Sequence, residues 1–182
     1  MEVEIKAKLK DLSHIKDKLL KLGAKLGKSK RQLDIFYKHK ERAWDTLRPG
    51  SYILRVRESG NDKFLTFKAL TPIKGVWEEY EVRIDNTKEV QKILKKLDLI
   101  QVFSIEKVRI SGSLGKFKFN LDRVKNLGFF VEVELIDKNG KKAQDEIRKL
   151  FSRLGISEKQ LERRGYGEIV SEKMGIKSDG IK

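Results

Sequence analysis

Charged and apolar side chains alternate without a break over the first eight residues, with Glu2, Glu4, Lys6 and Lys8 at one parity and Val3, Ile5 and Ala7 at the other. Residues two apart share a face of an extended chain, so this stretch predicts a strand with one charged and one apolar face. The period then changes. Leu12, Ile15, Leu19 and Leu22 keep helical spacing, with Asp11 or Ser13 placed to cap the helix and Gly23 to end it. Residues 25–39 read as a long, mostly polar extended segment carrying Gln32-Leu33-Asp34-Ile35-Phe36-Tyr37, followed by a loop over 40–50 closed by Pro49-Gly50. Residues 52–57 and 63–68 form a hairpin around Ser59-Gly60-Asn61-Asp62, and Pro72 and Gly75 break the chain before a strand over 76–84. Asn86 or Thr87 then caps a helix with Val90, Ile93, Leu94 and Leu97 on one face. A second hairpin, 101–111 with 115–124, turns at Ser111-Gly112-Ser113. A last strand, Val131-Glu132-Val133-Glu134-Leu135, leads into a helix with Ile147, Leu150, Phe151 and Leu154 aligned, and the final dozen residues are thin in apolar side chains.

The opening motif returns. Glu79, Glu81 and Arg83 repeat its spacing, Glu132 and Glu134 repeat its carboxylates, and each copy precedes a helix. Two units of strand, helix and hairpin, plus a closing strand and helix, give about eight strands. The spacings are too short for parallel crossovers, so an α+β fold with a largely antiparallel sheet is expected. Curling that sheet with its charged faces inward makes an eight-stranded barrel or tunnel with a polar lumen and helices packed outside. Residues 1–170 are expected to form one domain and 171–182 a tail.

The length of 182 residues suits one domain with a real core. A net charge of +15, from 42 Lys and Arg against 27 Asp and Glu, implies an anionic partner. Dense Lys and Glu also suit a heat-adapted protein. The absence of Cys excludes disulfides, thiolate metal sites and a cysteine nucleophile. No apolar run approaches the roughly 18 residues of a membrane span, and the charged start is no signal peptide, so a cytoplasmic location without membrane attachment is expected.

Strand parity gathers the candidate chemistry. Arg55 and Arg57 share a face, as do Lys107 and Arg109, and the partner strands add Lys68, Lys116, Lys118, Asn120 and Asp122. In the expected lumen the cations are Lys6, Arg55, Arg57, Lys68, Arg83, Lys107, Arg109 and Arg123. The anions are Glu2, Glu4, Glu79, Glu81, Asp122, Glu132 and Glu134. They could form an ion-pair lattice with no other task, but buried charge stabilises poorly compared with apolar packing. Arginine forks and lysine charges bind phosphate oxygens, and clustered carboxylates hold Mg²⁺ or Mn²⁺, so both in one cavity make a metal–polyphosphate site. His14 and His39 have no second His or Cys at ligand spacing. Trp44 and Trp77 read as packing residues. Gly112-Ser113-Leu114-Gly115 reads as a hairpin turn, since no helix follows to make a phosphate loop.

The opening Glu2-x-Glu4-x-Lys6 resembles the signature of the CYTH superfamily, the group of class IV adenylyl cyclases and thiamine triphosphatases. Gln32 to Tyr37, Leu54 to Arg57, Thr66 to Lys68, Glu79 to Glu81, Glu106 to Arg109, Leu121 to Asp122 and Glu132 to Glu134 follow in the family's order. The resemblance implies an eight-stranded antiparallel tunnel binding a triphosphate and a divalent metal. It implies that Arg55, Arg57, Lys68, Lys107 and Arg109 grip the triphosphate, and strand parity adds Arg123 to the substrate-binding set. Glu2, Glu4, Asp122, Glu132 and Glu134 would hold Mg²⁺ or Mn²⁺ or orient its water, and Lys6 would reach the phosphates or activate the attacking group. One departure falls in the C-terminal segment, where Gly165 of Arg163-Arg164-Gly165-Tyr166-Gly167 stands at the usual place of a serine.

The expected function is thus a metal-dependent enzyme on a triphosphate, closest to the class IV cyclases that convert ATP to cyclic AMP and pyrophosphate. The alternative is a triphosphatase acting on inorganic, thiamine or nucleoside triphosphate. A polyphosphate-binding protein without turnover, or a nucleic-acid-binding protein, is the non-enzyme alternative. Nucleic acid is disfavoured because basic side chains interleave with carboxylates while aromatics mostly take the apolar parity. The expected partners are a small triphosphate and, as an option, a second copy of the chain.

Overall fold

The computed structural model describes residues 2–44, 51–70 and 77–176. The Pro49-Gly50 loop closure, the break at Pro72 and Gly75, the tail from Lys177 and the side chains of Glu2 and Trp77 lie outside the described residues. Among the described residues, nine strands and four α-helices make an α+β protein with an antiparallel sheet, as the alternation predicts. The ninth strand is a two-residue addition to the eight expected. The chain forms two compact units, residues 1–30 with 107–163 and residues 31–106 with 164–182.

The first unit is built on β1 (Glu2–Leu9), which pairs with β8 (Gly128–Ile136) on one side and β9 (Leu161–Glu162) on the other. β8 pairs with β7 (Phe117–Val124), and β7 with the second half of β6 (Leu99–Leu114). Two helices, α1 (Ser13–Lys21) and α3 (Gly140–Leu154), pack with the apolar face of these strands. Val3, Ala7 and Leu9 of β1, Phe119 and Leu121 of β7 and Val131, Val133 and Leu135 of β8 meet Ile15, Leu19, Ile147, Leu150, Phe151 and Leu154 in one core. Burying a side chain of this size contributes about 1.5–3 kcal/mol, so this core fixes the register, and a slip by one residue would turn every charge inward. Asp11 serves α1, accepting from the backbone N–H of Ser13 and His14, and Asn139 caps α3 at Lys142.

The expected turn of the second hairpin is displaced. β6 runs through Gly112 to Leu114, and the chain reverses at Gly115-Lys116, where Gly115 has φ +56°. Gly112 stays in the strand because of close packing: a Cβ there would lie 2.4 Å from Phe119 Cζ and 2.5 Å from the Lys25 carbonyl oxygen.

The second unit orders β5 (Trp77–Arg83), β4 (Asp62–Leu70), β3 (Tyr52–Ser59) and, from Arg31 on, β2 (Lys25–His39). The hairpin between β3 and β4 turns at Gly60-Asn61, inside the predicted segment. α2 (Thr87–Lys96) is capped by Asn86, whose side chain accepts from the N–H of Lys88 and Glu89, and packs on β3. Its Leu94 joins Tyr37, Leu54 and Val56 in the core, whereas Ile93 and Leu97 are exposed, so only part of the predicted apolar stripe is covered. A second cluster packs Trp44 edge-on against Phe36 and Phe103, as the packing reading of Trp44 expects. The short α4 (Tyr166–Lys173) runs past the expected boundary at 170 and brings Gly167 beside the same three rings.

Candidate active site

On the face of β1, β6, β7 and β8 opposite the core, cross-strand register sets charged residues in rows. Glu4 faces Glu134, which faces Lys118; Lys6 faces Glu132, then Asn120, then Ser111; Asp122 faces Arg109. Asp122 is fully buried and accepts two bonds from Arg109, from Nε at 2.7 Å and Nη2 at 2.5 Å. Arg109 Nη2 also donates to Glu132, and Lys107 Nζ lies 3.8 Å from Asp122. Lys6 is buried, with Nζ 3.3 Å from Glu132 and 3.9 Å from Glu4. Asn120 receives a bond from Ser111 and donates one to Glu134 at 3.0 Å.

This row is rich in carboxylates, and Glu4 registers it. Burial, then the charge of Glu132, push its pKa up to about 7; Lys6 pulls it down, and Glu134 adds to the rise. Its side chain keeps 46% of its surface accessible, so water reaches a carboxylate that the surrounding protein still desolvates.

The second unit carries a comparable face. Asp34 of β2 stands opposite Arg57 of β3 and accepts from its Nε at 2.6 Å and its Nη2 at 2.9 Å. Arg55, on the same parity, lies 3.9 Å from Asp34 and 3.8 Å from Glu81, and donates to Thr66 at 3.4 Å. Its buried Nε has no hydrogen-bond partner, and burial followed by the charge of Arg57 lowers its pKa. Thr66, fully buried, donates to Glu81 at 2.7 Å, and Lys68 pairs with Glu79 at 2.8 Å. Arg55 is thus a desolvated cation with only long contacts to carboxylates, the setting in which an anion with several oxygens gains most.

Of the site residues expected from the sequence, Lys6, Glu4, Lys107, Arg109, Asp122, Glu132 and Glu134 come together in the first unit. Arg55, Arg57 and Lys68 come together in the second. Arg123 does not join them. It faces Val108 and Phe129 on the parity of Phe119 and Leu121 and is exposed, because it is adjacent to Asp122 and alternation sends the two to opposite faces. Arg83 is exposed and pairs with Asp62, and Lys116 sits in the turn and pairs with Glu146 of α3. Sequence reasoning overlooked Asp34, Thr66, Ser111 and Glu162, the last facing Lys6 from β9. Asp34 lies inside the Gln32–Tyr37 motif and shares its parity with Gln32, but its partner Arg57 stands on another strand.

Among the described residues no group of three or more His, Asp and Glu side chains is assembled as a metal cage. The donor set nonetheless fits Mg²⁺ or Mn²⁺. Mg²⁺ is commonly held by one or two carboxylates together with waters and substrate phosphates, and a divalent ion would favour the charged form of Glu4 that burial and the neighbouring Glu132 and Glu134 disfavour. No helix among the described residues is long and apolar enough to cross a membrane.

An antiparallel α+β protein whose strands repeat paired carboxylates beside paired cations defines the class, and comparison with known proteins agrees with it. The CYTH domain model matches residues 1–166, and the chain belongs to the CYTH family. It is 33% identical over 174 residues to the Methanocaldococcus jannaschii protein named "Putative adenylate cyclase MJ0240", covering 93% of this chain and 98% of that one. Among solved structures it resembles the PH1012 protein of Pyrococcus horikoshii, with a TM-score of 0.79 and 26% identity over 92% of this chain and 98% of that one. It shares its fold with the Hippeastrum protein HpAC1, described as having a dominant triphosphatase activity, with a TM-score of 0.67 and 16% identity over 98% of each chain.

Proposed function

We propose that this protein is a divalent-metal-dependent enzyme acting on a triphosphate, with class IV adenylyl cyclase chemistry as the first reading. The observation that carries it is the pair of side-on arginine grips, Asp34 on Arg57 and Asp122 on Arg109, the first beside the half-buried Arg55 and the second beside the buried Lys107. Arginines fixed in this way present their charge in a set direction, and phosphoryl chemistry depends on positioning and charge stabilisation more than on covalent catalysis. Arg55, Arg57, Lys68, Lys107 and Arg109 bind phosphate oxygens. Glu4, Glu132 and Glu134 would hold Mg²⁺ or Mn²⁺, which when bound neutralises phosphate charge. Asp122 acts through Arg109, and Lys6 reaches the phosphates or the attacking group.

In the cyclase reading the ribose 3′-oxygen of ATP loses its proton and attacks the α-phosphorus, and pyrophosphate leaves. The M. jannaschii relative, by its name, supports this branch. Hydrolysis of the terminal phosphate by water is the second reading, favoured by the triphosphatase activity described for the Hippeastrum protein of the same fold. Incubation with ATP and with tripolyphosphate in parallel, with Mg²⁺ or Mn²⁺, separates them. Cyclic AMP with pyrophosphate is the cyclase result, and orthophosphate from tripolyphosphate the hydrolase result. No product from either substrate would remove the enzymatic reading.

A further inference from the structure

We infer that Asp34 is a positioning residue for phosphate binding, acting through Arg57; this rests on the triphosphate reading above. Asp34 is 2% exposed, on a strand otherwise rich in solvated lysines. It meets Arg57 across the β2–β3 ladder and holds it by Nε and Nη2 together. Two bonds to one carboxylate stop the guanidinium from turning about its Cδ–Nε bond, so Asp34 sets the direction of the opposite edge. The same carboxylate stands 3.9 Å from Arg55, so one buried anion serves two half-buried cations.

A purely structural role explains this poorly. A buried ion pair is a weak stabiliser next to apolar packing, and Phe36, Tyr37 and Val56 close by show that apolar side chains are accommodated in these strands. The arrangement also recurs: Asp122 holds Arg109 through the same two nitrogens in the other unit, beside Lys107 as Asp34 is beside Arg55. Arginine fixed by a buried aspartate is therefore a repeated element of this fold, and phosphate recognition is the task that needs a fixed guanidinium plane.

The test titrates tripolyphosphate with Mg²⁺ into the wild type, Asp34→Asn, Arg57→Ala and the double variant. Asp34→Asn should weaken binding about tenfold, within the range for charged hydrogen bonds, and change it less than about twofold in the Arg57→Ala background. Wild-type affinity in Asp34→Asn, or the full loss persisting without Arg57, overturns the role. If Asp34→Asn does not fold, Arg57→Lys asks the same question, since it keeps the charge without the two-bond grip; unchanged affinity again overturns it. Proton exchange at Arg57 Nε, followed by NMR without ligand, should be slow in the wild type. A protein with this protected proton that binds no tripolyphosphate overturns the triphosphate reading. One that binds tripolyphosphate without the protected proton overturns the role of Asp34.

Discussion

Glu4 stands directly across the β1–β8 ladder from Glu134, two carboxylates facing each other on the charged side of the strands. Like charges in that position destabilise a sheet. Asn120 donates to Glu134 and Lys6 lies 3.9 Å from Glu4, yet burial, and after it the charge of Glu132, still raise the Glu4 pKa. The arrangement is costly for the protein alone and suits a bound cation, which links a stability measurement to the proposed chemistry.

The first prediction follows from the sign of that shift. The Glu4 pKa rises from 4.5 to about 7 on folding, so the folded state binds the proton more tightly than the unfolded chain. The resulting stability is fully present below pH 4.5 and is lost as pH rises through about 7. Between these limits wild-type stability should fall relative to Glu4→Gln, measured by urea denaturation at each pH. Parallel curves for the two proteins would mean that Glu4 is not strained. Mg²⁺ should reduce the wild-type loss at neutral pH.

The second concerns Arg109. It is the shared partner of Asp122, fully buried, and of Glu132, 4% exposed. Arg109→Ala leaves both carboxylates without it and should cost about 3–5 kcal/mol of stability, the range for breaking a buried ion pair. The family resemblance gives Arg109 a substrate contact; the geometry makes it structural as well. Denaturant titration of Arg109→Ala beside Arg109→Ala/Asp122→Asn checks this, with partial recovery expected in the double variant. A loss below about 1 kcal/mol would place Arg109 among exposed pairs.

Period-two alternation made the charged rows of β1 and β8 legible, because one face of each strand is solidly apolar and the register cannot slip. The same rule should have excluded Arg123, which cannot share a face with Asp122. Asp34 was hidden as one acid among apolar neighbours, and its importance lies in a cross-strand partner that one strand cannot show. Glu162 belongs to a strand of two residues, too short for any periodic signal. The displaced turn has a different origin: Ser111-Gly112-Ser113 has turn composition, but the Phe119 ring and the Lys25 carbonyl require a glycine there for space. In α2, helical spacing predicted an apolar stripe wider than the surface that covers it.

The third prediction tests that close packing. Phe119 is 1% exposed and cannot swing aside, and the Lys25 oxygen belongs to the backbone. Gly112→Ala should therefore cost about 1–3 kcal/mol, typical of overpacking a tight core. Thermal denaturation measures it. A melting temperature equal to wild type would mean that β6 and the start of β2 do not approach this closely.

The last prediction separates a triphosphate site from a self-satisfied ion-pair lattice. In a lattice every cation is matched, and added anion has nothing to gain. The observed pairing is uneven: Arg57 and Arg109 are each held by two short bonds, while Arg55 has only contacts of 3.4 Å and longer and a buried Nε without a partner. Lys68 pairs with Glu79, but both side chains are about a third or more exposed, so that contact is screened and readily exchanged. A triphosphate with its metal offers many oxygens to these groups and binds the folded state alone. Its stabilisation follows mass action, about 2.7 kcal/mol at a hundredfold excess over the dissociation constant. The melting temperature should rise clearly with tripolyphosphate and Mg²⁺, well beyond the effect of chloride at equal ionic strength. Sulfate should give a smaller rise, because a single tetrahedral anion offers fewer oxygens and less charge. Arg55→Ala should reduce the tripolyphosphate shift more than the sulfate shift. If tripolyphosphate does no more than chloride, the charged rows are a lattice and the enzymatic reading falls with them.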